Sequence, residues 1–224
     1  MYNQNDKPLI LLGTNSNIFK IIELAQSCGV VVDGILDDDY QGQGHYKGIP
    51  VLGGEQDIPK YVDHARFICA TNWTPDEAST RNRLKRSRQL ELLRTTELIT
   101  LVSPLANVSS YSIVSPGSAV FPFASIEPEV TVGQHSLIYD YAIVGHESVI
   151  GNNVVLQRNV LITSLVSVED NVYFGLCSKA CRSYSIIGNG TFVHPHIMLL
   201  RGTDAGETVS LAGRKTYKIG RAHV

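Results

Sequence analysis

The chain has 224 residues, of which 43% are hydrophobic and 18% charged, with a formal net charge of -2. That length accommodates two ordinary domains, and the near-neutral charge excludes bulk attraction to nucleic acid or anionic lipid, so an anionic ligand must be held locally. The apolar run after the polar start is too short for a secretory signal or a membrane span, so the cytoplasm is the expected location. Cys28, Cys69, Cys177 and Cys181 lack C-x-x-C spacing and are expected as reduced thiols.

Pro8–Leu12 reads as a short buried strand ending at Gly13. Asn15, Ser16 and Asn17 offer caps for a helix over Ile18–Cys28, where Ile18, Ile21, Ile22 and Ala25 recur at helical spacing. Gly29 stops that helix, and Val30–Leu36 reads as a second strand with Asp37, Asp38 and Asp39 at its carboxyl end. This is the opening βαβ of a parallel sheet. GIPVLGG at 48–54 predicts a turn and a short strand, Arg66–Ala70 another strand, and Thr80–Arg94 a helix with a basic face. Ligands of open α/β sheets bind beyond the carboxyl ends of strands, which points to the 13–17 loop and to Asp37 and Asp38. The loop GTNSN lacks the later glycines of G-x-G-x-x-G, which argues against a nicotinamide enzyme. The same residues also read as ordinary turns and caps of a structural α/β domain.

A different period takes over at Val102. Every sixth residue from there to Ile186 is apolar, through Val120, Val132, Val144, Leu156, Val168 and Ala180, and the residue two places earlier is small or β-branched from Ala106 to Val172. Neither a helix nor a flat strand selects this series; a parallel β-helix does, with one inward aliphatic per short strand and Gly133, Gly145, Gly151 and Asn152 as turn residues. Three hexads make one coil. The frame slips by one between Cys181 and Ile187 and dissolves after Leu200, so 201–210 reads as a loop followed by a short tail.

Within the repeat stand His146 and Glu147. Two places past the inward Val144, His146 should face outward, stacked between Pro128 and Ser164 of the neighbouring coils. A solvated surface histidine is the plain reading. The adjacent carboxylate suggests chemistry instead, because imidazole exchanges protons near neutral pH and a carboxylate can orient the ring and favour the imidazolium. Neighbours in an extended strand point to opposite faces, so the pair can meet only if the chain turns there. A threefold prism packs naturally as a cyclic trimer, whose facing walls would supply a cleft. The His194-Pro195-His196 element lacks acidic or thiol partners, and no metal is expected.

Both halves together, in Gly13–Lys20, VDGILDDD, GIPVLGG and above all VGHESVIG, resemble the sugar acetyltransferases that join an N-terminal Rossmann-like half-domain to a C-terminal left-handed β-helix. These include nucleotide-aminosugar N-acetyltransferases and sialic acid O-acetyltransferases. The resemblance implies a Rossmann-like sugar-nucleotide-binding domain over 1–100 and a left-handed hexapeptide β-helix acyltransferase domain with a tail over 101–224. It also implies a homotrimer, acetyl-CoA as donor, and an acceptor that is a nucleotide-linked amino sugar of the 4-amino-4,6-dideoxy type. His146 would be the general base with Glu147 as its partner, and Gly13, Asn15, Ser16, Asp37 and Asp38 would hold the nucleotide. Location and charge make Ser164, Gly175, Arg214 and Lys215 the candidates for the coenzyme wall. Where members carry a second histidine nine residues after the first, this chain has Val155, and their closing G-V-P-A is replaced around Ala212–Lys215. These departures keep a catalytically inactive trimeric sugar-nucleotide-binding scaffold as one alternative; sugar O-acetylation is the other, because the same base would serve a hydroxyl.

Overall fold

Four consecutive aliphatics form β1 (Leu9–Leu12), and all four are buried, as befits a central strand covered on both faces. The computed structural model describes residues 7–14, 18–40, 42–70, 93–94 and 97–216. The chain divides into two compact units, Met1–Val102 and Ser103–Val224.

In the first unit, α1 (Ile18–Ser27) buries Ile18, Ile21, Ile22, Leu24 and Ala25. It ends in a Schellman motif: Gly29, at φ 72°, donates its N–H to the Gln26 carbonyl, and Val30 donates to Ala25. The next strands are β2 (Val32–Leu36), β3 (His45–Tyr46), β4 (Ile49–Gly53) and β5 (Arg66–Cys69), with a 3₁₀ helix over Glu55–Lys60. The sheet order is β3-β4-β2-β1-β5; β4, β2, β1 and β5 run parallel and β3 closes a hairpin on β4. The expected βαβ opening is present. The helix expected over Thr80–Arg94 lies outside the described residues but for its last two.

In the second unit, two-residue strands stack into three parallel walls. The first runs from Asn107–Val108 through Ser125–Ile126, Ile143–Val144, Leu161–Ile162 and Lys179–Ala180 to Met198–Leu199. The second joins Ile113–Val114, Thr131–Val132, Val149–Ile150, Ser167–Val168 and Ile186–Ile187. The third joins Ala119–Val120, Leu137–Ile138, Val155–Leu156, Tyr173–Phe174 and Phe192–Val193. One core stack fills the interior, from Val120 through Ile138, Leu156 and Phe174 to Val193, with Ala124, Ala142, Val160 and Val172 at the corners.

The corners obey their own period. Phe123, Glu129, His135, Tyr141, Glu147, Asn153, Asn159, Leu165, Asn171 and Cys177 all have φ between 55° and 63°, three residues past each inward aliphatic. Left-handed backbone costs a non-glycine residue on the order of 1 kcal/mol. It is offset because the turned N–H reaches the coil below: Glu147 donates to Pro128 at 3.0 Å, Leu165 to His146 at 3.0 Å and Cys177 to Arg158 at 3.0 Å. Of the expected turn residues, Asn152 does lie in a turn, beside the left-handed Asn153, whereas Gly133, Gly145 and Gly151 stand just before their turns. The glycines serve close approach between coils, since a Cβ on Gly133 would sit 2.5 Å from the Gly151 carbonyl carbon.

Serines at buried corners tie the coils together. Ser136 Oγ donates to the Gly151 carbonyl at 2.9 Å and accepts from the Val154 N–H at 3.0 Å; Ser148 does the same with Thr163 and Val166. A hydroxyl at these positions thus satisfies two backbone groups of the next coil.

Three expectations change. Ile186 is 58% exposed and Ile187 is the inward residue, because an extra residue lengthens this coil and Ala180 pairs with Leu199. Val102 falls in the first unit and is exposed, while Val108 and Val114 are only partly buried against the core. Residues 201–210 are not all loop: Glu207–Ser210 pairs parallel with Phe192–Val193 and antiparallel with Gly213–Thr216, and Val209 enters the core. The last coil is shortened, which breaks the six-residue step that made earlier coils visible.

Replacing Ser136 with alanine orphans two buried backbone groups, so Ser136→Ala should lose about 1–3 kcal/mol in urea unfolding. Ser167→Ala, on an outward position of the second wall, should stay within about 0.5 kcal/mol of the parent. Equal losses would contradict the role given to the corner hydroxyls.

Candidate active site

His146 and Glu147 occupy the edge where the first wall turns into the second. Because Glu147 is a left-handed corner residue, with φ 56°, its side chain comes round to the ring of its predecessor. Glu147 Oε1 lies 3.1 Å from His146 Nδ1, the contact that two adjacent residues of an extended strand could not make. Both side chains are about half exposed, at 48% and 51%. With a proton on Nδ1 directed at the carboxylate, Nε2 keeps its lone pair and can accept a proton from a ligand.

The edge is built by three coils. Below, Glu127 Oε2 accepts the His146 backbone N–H at 2.9 Å. Sequence reading missed this carboxylate; it stands one coil and one residue before His146, a spacing the eighteen-residue coil could have flagged. Above, Leu165 donates its N–H to the His146 carbonyl, and Ser164 lies against Gly145. A Cβ on Gly145 would stand 2.5 Å from the Ser164 nitrogen and 2.8 Å from its Oγ, so only glycine lets the coils close beside the histidine. His146, Glu147, Glu127 and Ser164 thus share one edge.

Other expected residues lie elsewhere. Gly175 is buried on the edge that follows the third wall, packed toward Pro195, and does not share the His146 edge within one chain. Arg214 Nη1 donates to Glu207 Oε1 and to the Gly202 carbonyl, each at 3.1 Å, so an almost buried carboxylate takes up its charge. Lys215 is exposed on the final hairpin strand. Val155 is fully buried in the third wall, on a different wall from His146. His194 meets the Phe192 ring edge-on at 4.9 Å, and among the described residues no group of three or more His, Cys, Asp or Glu side chains is placed to hold a metal.

In the first unit, Gly13, Asp37 and Asp38 gather at the carboxyl ends of β1 and β2. Gly13, at φ 78°, donates to the Leu36 carbonyl at 2.8 Å. Asp37 is buried and its carboxylate accepts the N–H groups of Thr14 and Asp39, pinning the loop to the strand end. Asp38 Oδ1 accepts from the Glu55 N–H at 2.6 Å. Asn15 and Ser16 lie outside the described residues. Nearby, unforeseen from the sequence, Tyr40 and Tyr46 meet at 4.5 Å, and Lys47 Nζ stands 4.4 Å over the Phe19 ring. Proximity to Tyr46, then partial burial and the charges of Asp37 and Asp39, raise the Tyr40 pKa. The aromatic pairs carry no periodic signal, which is why sequence reading passed over them. No helix among the described residues is long and apolar enough to cross a membrane.

No family model and no curated protein matches the chain. Solved structures do. A variant of perosamine N-acetyltransferase from Caulobacter crescentus, solved with CoA and GDP-perosamine, is 20% identical over 95% of this chain and 98% of its own, with a TM-score of 0.63. WeeI from Acinetobacter baumannii gives 20% identity over 93% and 98% with a TM-score of 0.77. The acetyltransferase domain of PglB from Neisseria gonorrhoeae gives 22% over 95% and 100% with 0.54. The stacked walls, the six-residue period and these neighbours agree that the chain has the β-solenoid fold of the sugar N-acetyltransferases.

Proposed function

We propose that the protein is an acetyltransferase that moves the acetyl group of acetyl-CoA onto the amino group of a nucleotide-linked amino sugar of the 4-amino-4,6-dideoxy type. The observation that carries this reading is the His146–Glu147 contact at 3.1 Å on an exposed prism edge. The fold shared with perosamine N-acetyltransferase supports the donor and acceptor classes. In this reading the chain acts as a cytoplasmic homotrimer, with a partner's wall closing the half-exposed edge into a cleft.

The chemistry follows from the geometry. The sugar nitrogen attacks the thioester carbonyl while Nε2 of His146 takes its proton; the tetrahedral intermediate collapses, the carbon–sulfur bond breaks, and the imidazolium returns the proton to the leaving thiolate. Glu147 holds the ring by Nδ1 and stabilises the positive charge that develops there. No acyl-enzyme is formed. A Rossmann-like first unit would hold the nucleotide at the strand ends, with Gly13, Asn15, Ser16, Asp37 and Asp38. Since Asp37 and Asp38 are engaged by backbone N–H groups, their contribution would be to shape the loop that meets the ligand. Ser164, Gly175, Arg214 and Lys215 remain candidates for the coenzyme wall, of which Ser164 stands nearest the base by coil register.

The test is free-thiol release from acetyl-CoA with a panel of UDP-, dTDP- and GDP-linked amino sugars. His146→Ala should lower kcat about 10²–10⁴-fold with little change in KM. Glu147→Gln should lower kcat about tenfold or more, since the base loses its orienting charge. No release with any acceptor would leave a binding scaffold as the better reading, and an acetyl product cleaved by mild alkali would identify an ester and hence O-acetylation. Gly145→Ala forces the two coils apart beside the base, so it should lower both the melting temperature and kcat of the folded fraction; unchanged values of both would contradict the close packing ascribed to this glycine.

A further inference from the structure

Two guanidinium groups that have no ion pair among the described residues continue the His146 edge. The inward residues Val144, Ile162, Ala180 and Leu199 pair in register up the first wall. Two residues beyond each of them stand His146, Ser164, Arg182 and Arg201. Coils in such a stack are about 4.8 Å apart, so Arg182 lies about 10 Å and Arg201 about 14 Å along the edge from the imidazole. The one-residue slip falls between them: Thr163 bonds the Ala180 carbonyl seventeen residues on, as in the regular coils, but Cys181 bonds Leu199, eighteen on, and Tyr184 rather than residue 183 bonds Leu165, at 2.7 Å. The added residue lies beside a shallow, open surface depression of about 410 Å³, whose lining includes Arg182, Tyr184, Ser185, Arg201, Thr203 and Asp204.

The depression has a hydrogen-bonded rim and a positive balance. Ser185 Oγ donates to the Arg182 carbonyl at 2.6 Å, and Thr203 donates its N–H to the Ile186 carbonyl at 3.0 Å, which ties the loop bearing Arg201 to the coil bearing Tyr184. Unlike Arg214, neither Arg182 nor Arg201 has an ion pair among the described residues, and Asp204 is the one carboxylate in the lining. Tyr184 is 81% exposed and presents a ring beside them. Two forked cations and an aromatic face match a phosphorylated nucleoside, which needs bidentate donors for phosphate and a surface for its base.

We infer that Arg182 and Arg201 form a phosphate-binding station for the nucleotide end of a ligand whose reacting end lies at His146. This rests on the proposed acetyl transfer only for the ligand's reacting end. Acetyl-CoA fits the spacing, since a flexible arm separates its thioester from its phosphates; the diphosphate of the acceptor offers the same chemistry, and the experiment separates the two.

Calorimetric titrations of adenosine 3′,5′-bisphosphate, CoA and UDP, GDP or dTDP into the parent, Arg182→Gln, Arg201→Gln and His146→Ala proteins read the station directly. Each glutamine variant should weaken adenosine 3′,5′-bisphosphate and CoA about tenfold, while nucleoside diphosphate binding and the melting temperature hold. Arg182→Lys and Arg201→Lys, which keep the charge without the fork, should lose less. Loss confined to the nucleoside diphosphate would keep the station and assign it to the acceptor. Binding unaffected by any of these variants, or no binding of any probe to the parent protein, would overturn it. His146→Ala should bind as the parent does, so a protein that binds these phosphates yet transfers no acetyl group refutes the proposed catalysis and leaves the station standing. Where transfer occurs, the glutamine variants should match the parent with S-acetylpantetheine, which carries no phosphate.

Discussion

The left-handed corner is the constraint on which the second unit depends. At corners such as His135, Glu147, Asn153, Leu165 and Cys177 the chain turns its N–H out of the strand direction toward the coil below, and that bond both closes the corner and ties it to the stack. Side chains at the corner are therefore not free to follow the alternation of an extended strand. The inward aliphatics then fall into one column per wall, and the small or hydroxylated corner residues fit beneath them. Hydrophobic burial supplies the driving force, while the corner bonds decide register.

The candidate catalytic pair is a consequence of that constraint. In a flat strand Glu147 would point away from His146; the turn at Glu147 brings its carboxylate to Nδ1. The same edge needs a glycine at 145, because the Ser164 backbone leaves no room for a side chain, and uses Glu127 from the coil below to hold the His146 amide. Regular stacking thus converts residues eighteen positions apart into neighbours on one line. Irregular stacking adds something else: the longer coil at 181–187 and the shortened one after Leu199 border the depression where Arg182 and Arg201 stand.

The first unit works by a different logic. Its central strand β1 is buried on both faces, and Gly13, Asp37 and Asp38 collect where β1 and β2 end. Burial of Asp37 is tolerated because two backbone N–H groups meet its carboxylate, so the loop after β1 is held by a charge-assisted bond as well as by Gly13.

The sequence by itself determined the βαβ opening, because helical and buried-strand patterns are local, and the prism, because an uninterrupted period of six has one structural solution. It also singled out His146 and Glu147 and put Ser164 above them, since coil register is arithmetic once the period is known. Tertiary structure alone decided which face each charge meets. Arg214 looked like a free cation until its hairpin folded against Glu207, Ile186 yielded its place to Ile187 when one residue entered the coil, and Val209 rejoined the core after the period had been lost. The physical reason is the same in each case: periodicity reports repeated local geometry, whereas ion pairs, insertions and chain-end pairings depend on contacts between coils whose spacing no longer repeats.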